Sequence, residues 1–148
     1  MIEYKEARPP APVALIERLE RLVGRGLPSE YRDYLAGQDG GWAKDNSLAV
    51  DEVFGVAEDL PYSANIWQKL DVFSGRHPEW LLPVAQDVYG NLFLLSVRED
   101  DLGSVWFWDH EEEACEDEPP SEENVTLVAE NWTDLLRKVQ PVTVGNDG

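Results

Sequence analysis

The run Leu81-Leu82-Pro83-Val84-Ala85, the turn Asp87-Val88-Tyr89-Gly90-Asn91, and the runs Leu92-Phe93-Leu94-Leu95 and Val105-Trp106-Phe107-Trp108-Asp109-His110-Glu111 all lie within residues 81–111. Each apolar run is too short for an ordinary helix and is bounded by polar turn residues. Links as short as Asp87 to Gly90 and Arg98 to Gly103 join antiparallel neighbours, because a parallel crossover needs a dozen or more residues. Three consecutive antiparallel strands are therefore predicted near 81–85, 91–97 and 104–109. Gly90 is expected at positive φ, which a β-carbon would strain, and Asn91 is expected to hydrogen-bond turn backbone. Neither parity of Leu92 to Leu95 is polar, and Val105 to Trp108 is apolar on both parities as well. A half-solvated sheet would alternate with polar residues. The pattern predicts a central sheet covered on both faces, with a partly exposed aromatic face as the alternative.

Helical periodicity flanks this segment. Leu15, Ile16, Leu19, Leu22 and Val23 predict a helix over about 12–23, closed by Gly24 and Gly26. Pro28 presets the start of a second helix carrying Tyr31, Tyr34 and Leu35, with Gly37 at its end and a turn at Asp39-Gly40-Gly41. A short strand is expected within 47–57 and a third helix over about 62–73. A further strand at 125–128 precedes a last helix over about 131–139. The expected core includes Leu19, Tyr34, Leu35, Phe54, Leu94, Phe107, Trp132 and Leu135. Residues 1–11 read as a loose arm stiffened by Pro9 and Pro10, and residues 12–140 as one α+β domain with an acidic loop at about 111–124. Residues 141–148 read as a frayed tail.

The chain has 148 residues, 43% of them hydrophobic, which suits one folded domain. No apolar run reaches the roughly 18 residues of a membrane helix. Glu3, Lys5, Glu6 and Arg8 leave no apolar signal-peptide core in the first dozen residues. Cys115 is the single cysteine, so no intramolecular disulfide forms. These features predict a cytoplasmic protein. Against 30 acidic residues stand 12 basic ones, a net charge of −18. Such a field repels nucleic acid and anionic lipid and accelerates encounter with a basic partner.

Four segments, taken in order, resemble the SUKH superfamily, which includes fungal cell-wall synthesis regulators and bacterial toxin-immunity proteins. The first is Leu27-Pro28-Ser29-Glu30-Tyr31-Arg32-Asp33-Tyr34-Leu35 with the following Gly40-Gly41, where Asp39 stands in place of the family's usual Asn. The second is Pro83-Val84-Ala85 leading into Asp87 and Gly90-Asn91. The third is Val105-Trp106-Phe107-Trp108-Asp109-His110-Glu111. The fourth is Val128-Ala129-Glu130-Asn131-Trp132-Thr133-Asp134-Leu135-Leu136, with Trp132 in the usual Phe place. The resemblance covers about residues 12–139. It implies an α+β fold with an antiparallel-rich sheet packed by about four helices, and binding rather than catalysis. Leu27, Pro28, Tyr31, Gly40, Gly41, Pro83, Asp87, Gly90, Asn91, Asp109, His110 and Trp132 are its structural positions.

Enzymatic constellations are weak. His77 and His110 are the only histidines. Cys115 sits among carboxylates, which raise a thiol pKa rather than activate it. Asp109, His110, Glu111 and Cys115 have metal-ligand chemistry but crowd too closely in sequence to close a tetrahedron. No calcium-loop spacing, phosphate loop or dinucleotide fingerprint occurs. No catalytic residue, metal or cofactor is expected.

Between Glu99 and Asp134 the chain carries fourteen acidic residues and no Lys or Arg. Glu111, Glu112, Glu113, Glu116, Asp117 and Glu118, with Trp106 and Trp108 of the aromatic strand, are the expected partner contacts. The sharp functional reading is an immunity protein that neutralises a basic toxin domain, in its most specific form a nuclease. The plain reading is a solvated acidic loop on a scaffold or regulatory interaction domain, for example in cell-envelope synthesis. Neither nucleic acid nor membrane is an expected partner, and the oligomeric state is not readable.

Overall fold

The computed structural model describes residues 1–112 and 122–142. Among them, β1 (Tyr4–Ala7), β2 (Gly41–Ala43), β3 (Val50–Val53), β4 (Leu81–Asp87), β5 (Leu92–Ser96), β6 (Val105–Trp108) and β7 (Val125–Ala129) form one seven-stranded sheet. The strands lie in chain order and every adjacent pair is antiparallel. Helices α1 (Val13–Val23), α2 (Ser29–Gly37), α3 (Ile66–Val72) and α4 (Trp132–Lys138) complete an α+β fold. The antiparallel meander expected over 81–109 is present, with β4, β5 and β6 consecutive and Gly90 at φ 91° in the first turn.

Every residue of β5 is buried, and only Gln86 of β4 is half-buried. Both parities are therefore withdrawn from water, and both faces of the central sheet are covered. Cover thins toward the β7 edge, where Trp106 and Phe107 are half-buried and Thr126 and Leu127 are exposed.

The helix ends follow local chemistry. Gly24 closes α1 in the left-handed conformation. The side chains of Asn65 and Asn131 cap α3 and α4 by accepting from the Gln68 and Asp134 amides. Trp132 opens α4 and is 1% exposed, meeting the rings of Tyr31 and Tyr34 edge-on at centroid distances of 5.0 and 5.2 Å. Of the expected core, Leu19, Leu35, Phe54, Leu94, Trp132 and Leu135 are buried, while Tyr34 and Phe107 are half-buried.

Three expectations are corrected. Residues 1–11 are not a loose arm. Ile2 is buried and donates its amide to Leu136 O, β1 pairs with β2, and the Tyr4 and Tyr34 hydroxyls lie 2.6 Å apart. Gly41 does not end a turn but begins β2, because its lack of a side chain lets the strand pass the Tyr4 ring and Glu6 carbonyl. The tail is tied at its start: Pro141 bridges to Asn46, and the Val142 amide donates to Asp45 O. Residues 143–148 lie outside the described residues.

Candidate functional site

The β4–β5 hairpin and the end of β6 are locked by one polar relay. Asp87 Oδ1 accepts the amides of Tyr89 and Asn91, and Oδ2 accepts Asn91 Nδ2. A carboxylate only accepts, so the Asn91 amide is oriented and its Oδ1 faces His110. That oxygen accepts the His110 backbone N–H at 3.1 Å and the ring Nδ1 at 2.6 Å, so Nδ1 carries a proton. Asp109 adds an acceptor for the Glu111 amide, and its carbonyl accepts Asn124 Nδ2. The chain thus leaves β6 in a fixed direction, and the acidic segment after His110 starts beside the hairpin tip. At that tip Val88 and Tyr89 are 58% and 72% exposed.

A groove of about 460 Å³ lies along the β6–β7 edge. Trp106, Leu102 and Leu127 give it an apolar floor, and Glu99, Asp100 and Glu130 surround it with carboxylates. Among the described residues those three carboxylates have no cation within 4 Å. Trp106 is held in place by its Nε1–H, which donates to Ser104 Oγ, and by the edge of Trp80 at 5.4 Å. Arg98 stacks on Trp80 at 3.4 Å and forms a two-pronged pair with Asp101 at 2.9 and 3.0 Å. That pair holds the Asp101 carboxyl below the ordinary carboxylate range, with Ser96 Oγ as a further donor. Only one of the rim carboxylates is therefore neutralised.

The expected contact residues separate. Trp106 lines the groove, but Trp108 is completely buried, enclosed by Phe73 at 5.7 Å and His77 at 6.4 Å. It is a core residue, not a surface anchor, because the α3 end of the fold closes over that end of β6. Glu111 is exposed in a one-turn 3₁₀ helix, His110–Glu112. Glu113, Glu116, Asp117, Glu118 and Cys115 lie outside the described residues.

The family-motif positions hold structure. Leu27, Pro28, Tyr31, Pro83 and Trp132 are buried. Asp39 accepts the Val56 and Ala57 amides at 2.7 and 3.0 Å, so a carboxylate satisfies the corner after α2. The groove residues Leu102, Leu127 and Glu130 were not singled out from sequence. Val125-Thr126-Leu127-Val128-Ala129 does not alternate in polarity, so nothing in β7 marks Leu127 as exposed.

No three His, Cys, Asp or Glu side chains among the described residues converge as metal ligands. The His77 ring donates Nδ1–H to Pro78 O and is kept neutral by burial, which lowers its pKa. No helix among the described residues is long and apolar enough to cross a membrane. What the surface offers is an apolar groove whose acidic rim is compensated only in part, by Arg98.

A family model described as the SMI1 / KNR4 family (SUKH-1) matches residues 10–138. The SPbeta prophage-derived uncharacterized protein YokK of Bacillus subtilis (strain 168) is 28% identical over 120 residues, covering 65% of this chain and 60% of that relative. The match thus spans less than two thirds of the relative's length.

Proposed function

This chain belongs to the SMI1 / KNR4 family (SUKH-1), and from that premise we propose that it is a non-enzymatic, cytoplasmic immunity protein that neutralises a basic toxin domain, in the sharpest form a nuclease. The observation that carries the reading is the Trp106–Leu127 groove, whose rim carboxylates Glu99, Asp100 and Glu130 have no ion pair among the described residues, on a stretch from Glu99 to Asp134 that holds no Lys or Arg. An apolar centre with a charged periphery is how affinity and partner choice are divided at protein interfaces. The net charge of −18 favours a basic partner over nucleic acid or an anionic membrane. A relative of prophage origin accords with the role. The test is co-expression with the toxin domain encoded beside the gene. Protection of the host, together with a purified complex, is the expected result. Unprotected cells and no complex would overturn the proposal.

A further inference from the structure

We propose that a second cleft, at the β1–β3 end of the sheet, takes the guanidinium group of an arginine presented by a partner protein. Glu6 of β1 stands opposite Trp42 of β2, and Trp42 stands opposite Glu52 of β3. Directly opposed residues of antiparallel strands project from the same face. The register therefore sets an indole between two carboxylates. The three line a cavity of about 320 Å³ with Asp51 and Arg8, and segment 60–64 forms its other wall. Trp42 is 46% exposed.

Two observations beyond the carboxylates point to a cation. The Lys5 ammonium already sits 4.4 Å from the centroid of the Trp42 ring. Its ion pair with the exposed Asp45 is a long one, 3.9 Å, so that indole already carries a loosely held cation of the chain's own, although Lys5 does not line the cavity. Glu52 is only 9% exposed, yet its Oε2 accepts no hydrogen bond. Arg8 Nη2 lies 3.0 Å from Oε2 but is directed to the Val53 carbonyl, so the contact is one of charge without hydrogen-bond alignment. Arg8 and Lys69 both oppose its charge, yet Oε2 has no aligned donor, and burial pushes the Glu52 pKa up to about 7. Three carboxylates and one guanidinium line the cavity, and Lys69 acts on Glu52 from outside the lining. An incoming guanidinium suits the row better than an ammonium, because its flat face stacks on an indole while its N–H edge reaches carboxylates to either side.

The site lies at the opposite end of the strand order from the Trp106 groove and stands independently of the toxin reading. Capped Gly-Arg-Gly would be titrated into the full chain while the Trp42 indole N–H is followed by NMR, its signal assigned with Trp42→Phe. A saturable shift is expected, weaker with Gly-Lys-Gly and absent with the neutral Gly-citrulline-Gly. Glu6→Gln, an exposed change, should weaken binding about tenfold, whereas Leu127→Ser should leave it unchanged. The inference is overturned by no saturable shift, by equal shifts with citrulline or lysine, or by indifference to Glu6→Gln. Tighter binding of free arginine than of the tripeptide would reassign the cleft to a small molecule and overturn the partner.

Discussion

Asn91 Oδ1 accepts two hydrogen bonds from one residue, the backbone N–H and the ring Nδ1 of His110, at 3.1 and 2.6 Å. Because Asn91 Nδ2 is engaged by Asp87 Oδ2 at 3.1 Å, the amide is the only neutral group that serves both neighbours. Asn91→Asp keeps the acceptor for His110 but sets a second carboxylate against Asp87. It should cost about 2–3 kcal/mol, as much as Asn91→Ala, and recover in acid where Asn91→Ala does not. Denaturant melts of the two variants at neutral and acid pH measure this. Equal losses at both pH values would show that the repulsion is absent.

The corner after α2 depends on glycine more strictly. Gly40 has φ 75°, and a β-carbon there would lie 2.3 Å from Val53 O. Gly24 has φ 87° with nothing within 4 Å of its β-carbon. Gly24→Ala should therefore cost about 1 kcal/mol from backbone strain alone. Gly40→Ala should cost several times as much, since Val53 belongs to β3 and the sheet must shift. Thermal melts of both proteins decide it; equal losses would mean that the corner is pliable.

Trp132→Ala removes a fully buried indole that both Tyr31 and Tyr34 touch. A loss of about 3–5 kcal/mol in chemical unfolding is expected. An unchanged midpoint would mean that α4 does not close the core.

The meander over 81–109 was legible because its runs are short, apolar on both parities and joined by turn residues. The fates of Trp106 and Trp108 were not legible. They share a strand parity, and only the placement of Phe73 and His77 buries one, while Trp80 merely flanks the other. Strand β1 was hidden for a different reason. Tyr4–Ala7 is mostly exposed, and its place is set by distant partners, Tyr34 for Tyr4 and Glu52 for the following Arg8. The Glu6–Trp42–Glu52 row exists only through a register across three strands, none of them with a strong periodic signal.

Glu52 makes stability depend on pH. Burial raises its carboxyl from 4.5 to about 7, with Asp51 and Glu6 adding to the rise and Arg8 and Lys69 opposing it. Between those values the folded chain holds a proton that the unfolded chain has released. Stability attributable to this group therefore falls as pH rises through the window, by at most about 1.4 kcal/mol per pH unit. His77 has the opposite sign: burial lowers its pKa, so its contribution is lost as pH falls below its ordinary 6.5. Glu52→Gln removes only the first effect. The stability difference between variant and wild type should grow in the variant's favour from about pH 5 to about pH 7.5. A difference independent of pH would show that Glu52 is ionised throughout.

Partner binding should separate into an acidic on-rate and an apolar off-rate. Between Glu111 and Glu123 there are eight carboxylates and no basic residue, in the link between the two strands that border the groove. Attraction at that range is screened over about 8 Å at physiological ionic strength, so it accelerates encounter more than it prolongs the complex. Changing Glu111, Glu112, Glu113, Glu116, Asp117 and Glu118 to Gln or Ser should slow association about tenfold at low salt and flatten its salt dependence, with dissociation little altered. Leu102 and Leu127 are 39% and 50% exposed beside Trp106, so Leu102→Ser and Leu127→Ser should leave the fold intact. They should raise the dissociation rate instead, because apolar contacts at the centre of an interface govern its lifetime. Surface-capture kinetics with the cognate toxin domain at two salt concentrations tests both halves. An acidic variant that associates at the wild-type rate with the same salt slope makes the segment a solubility feature, and groove variants that dissociate at the wild-type rate move the contact off the β6–β7 edge.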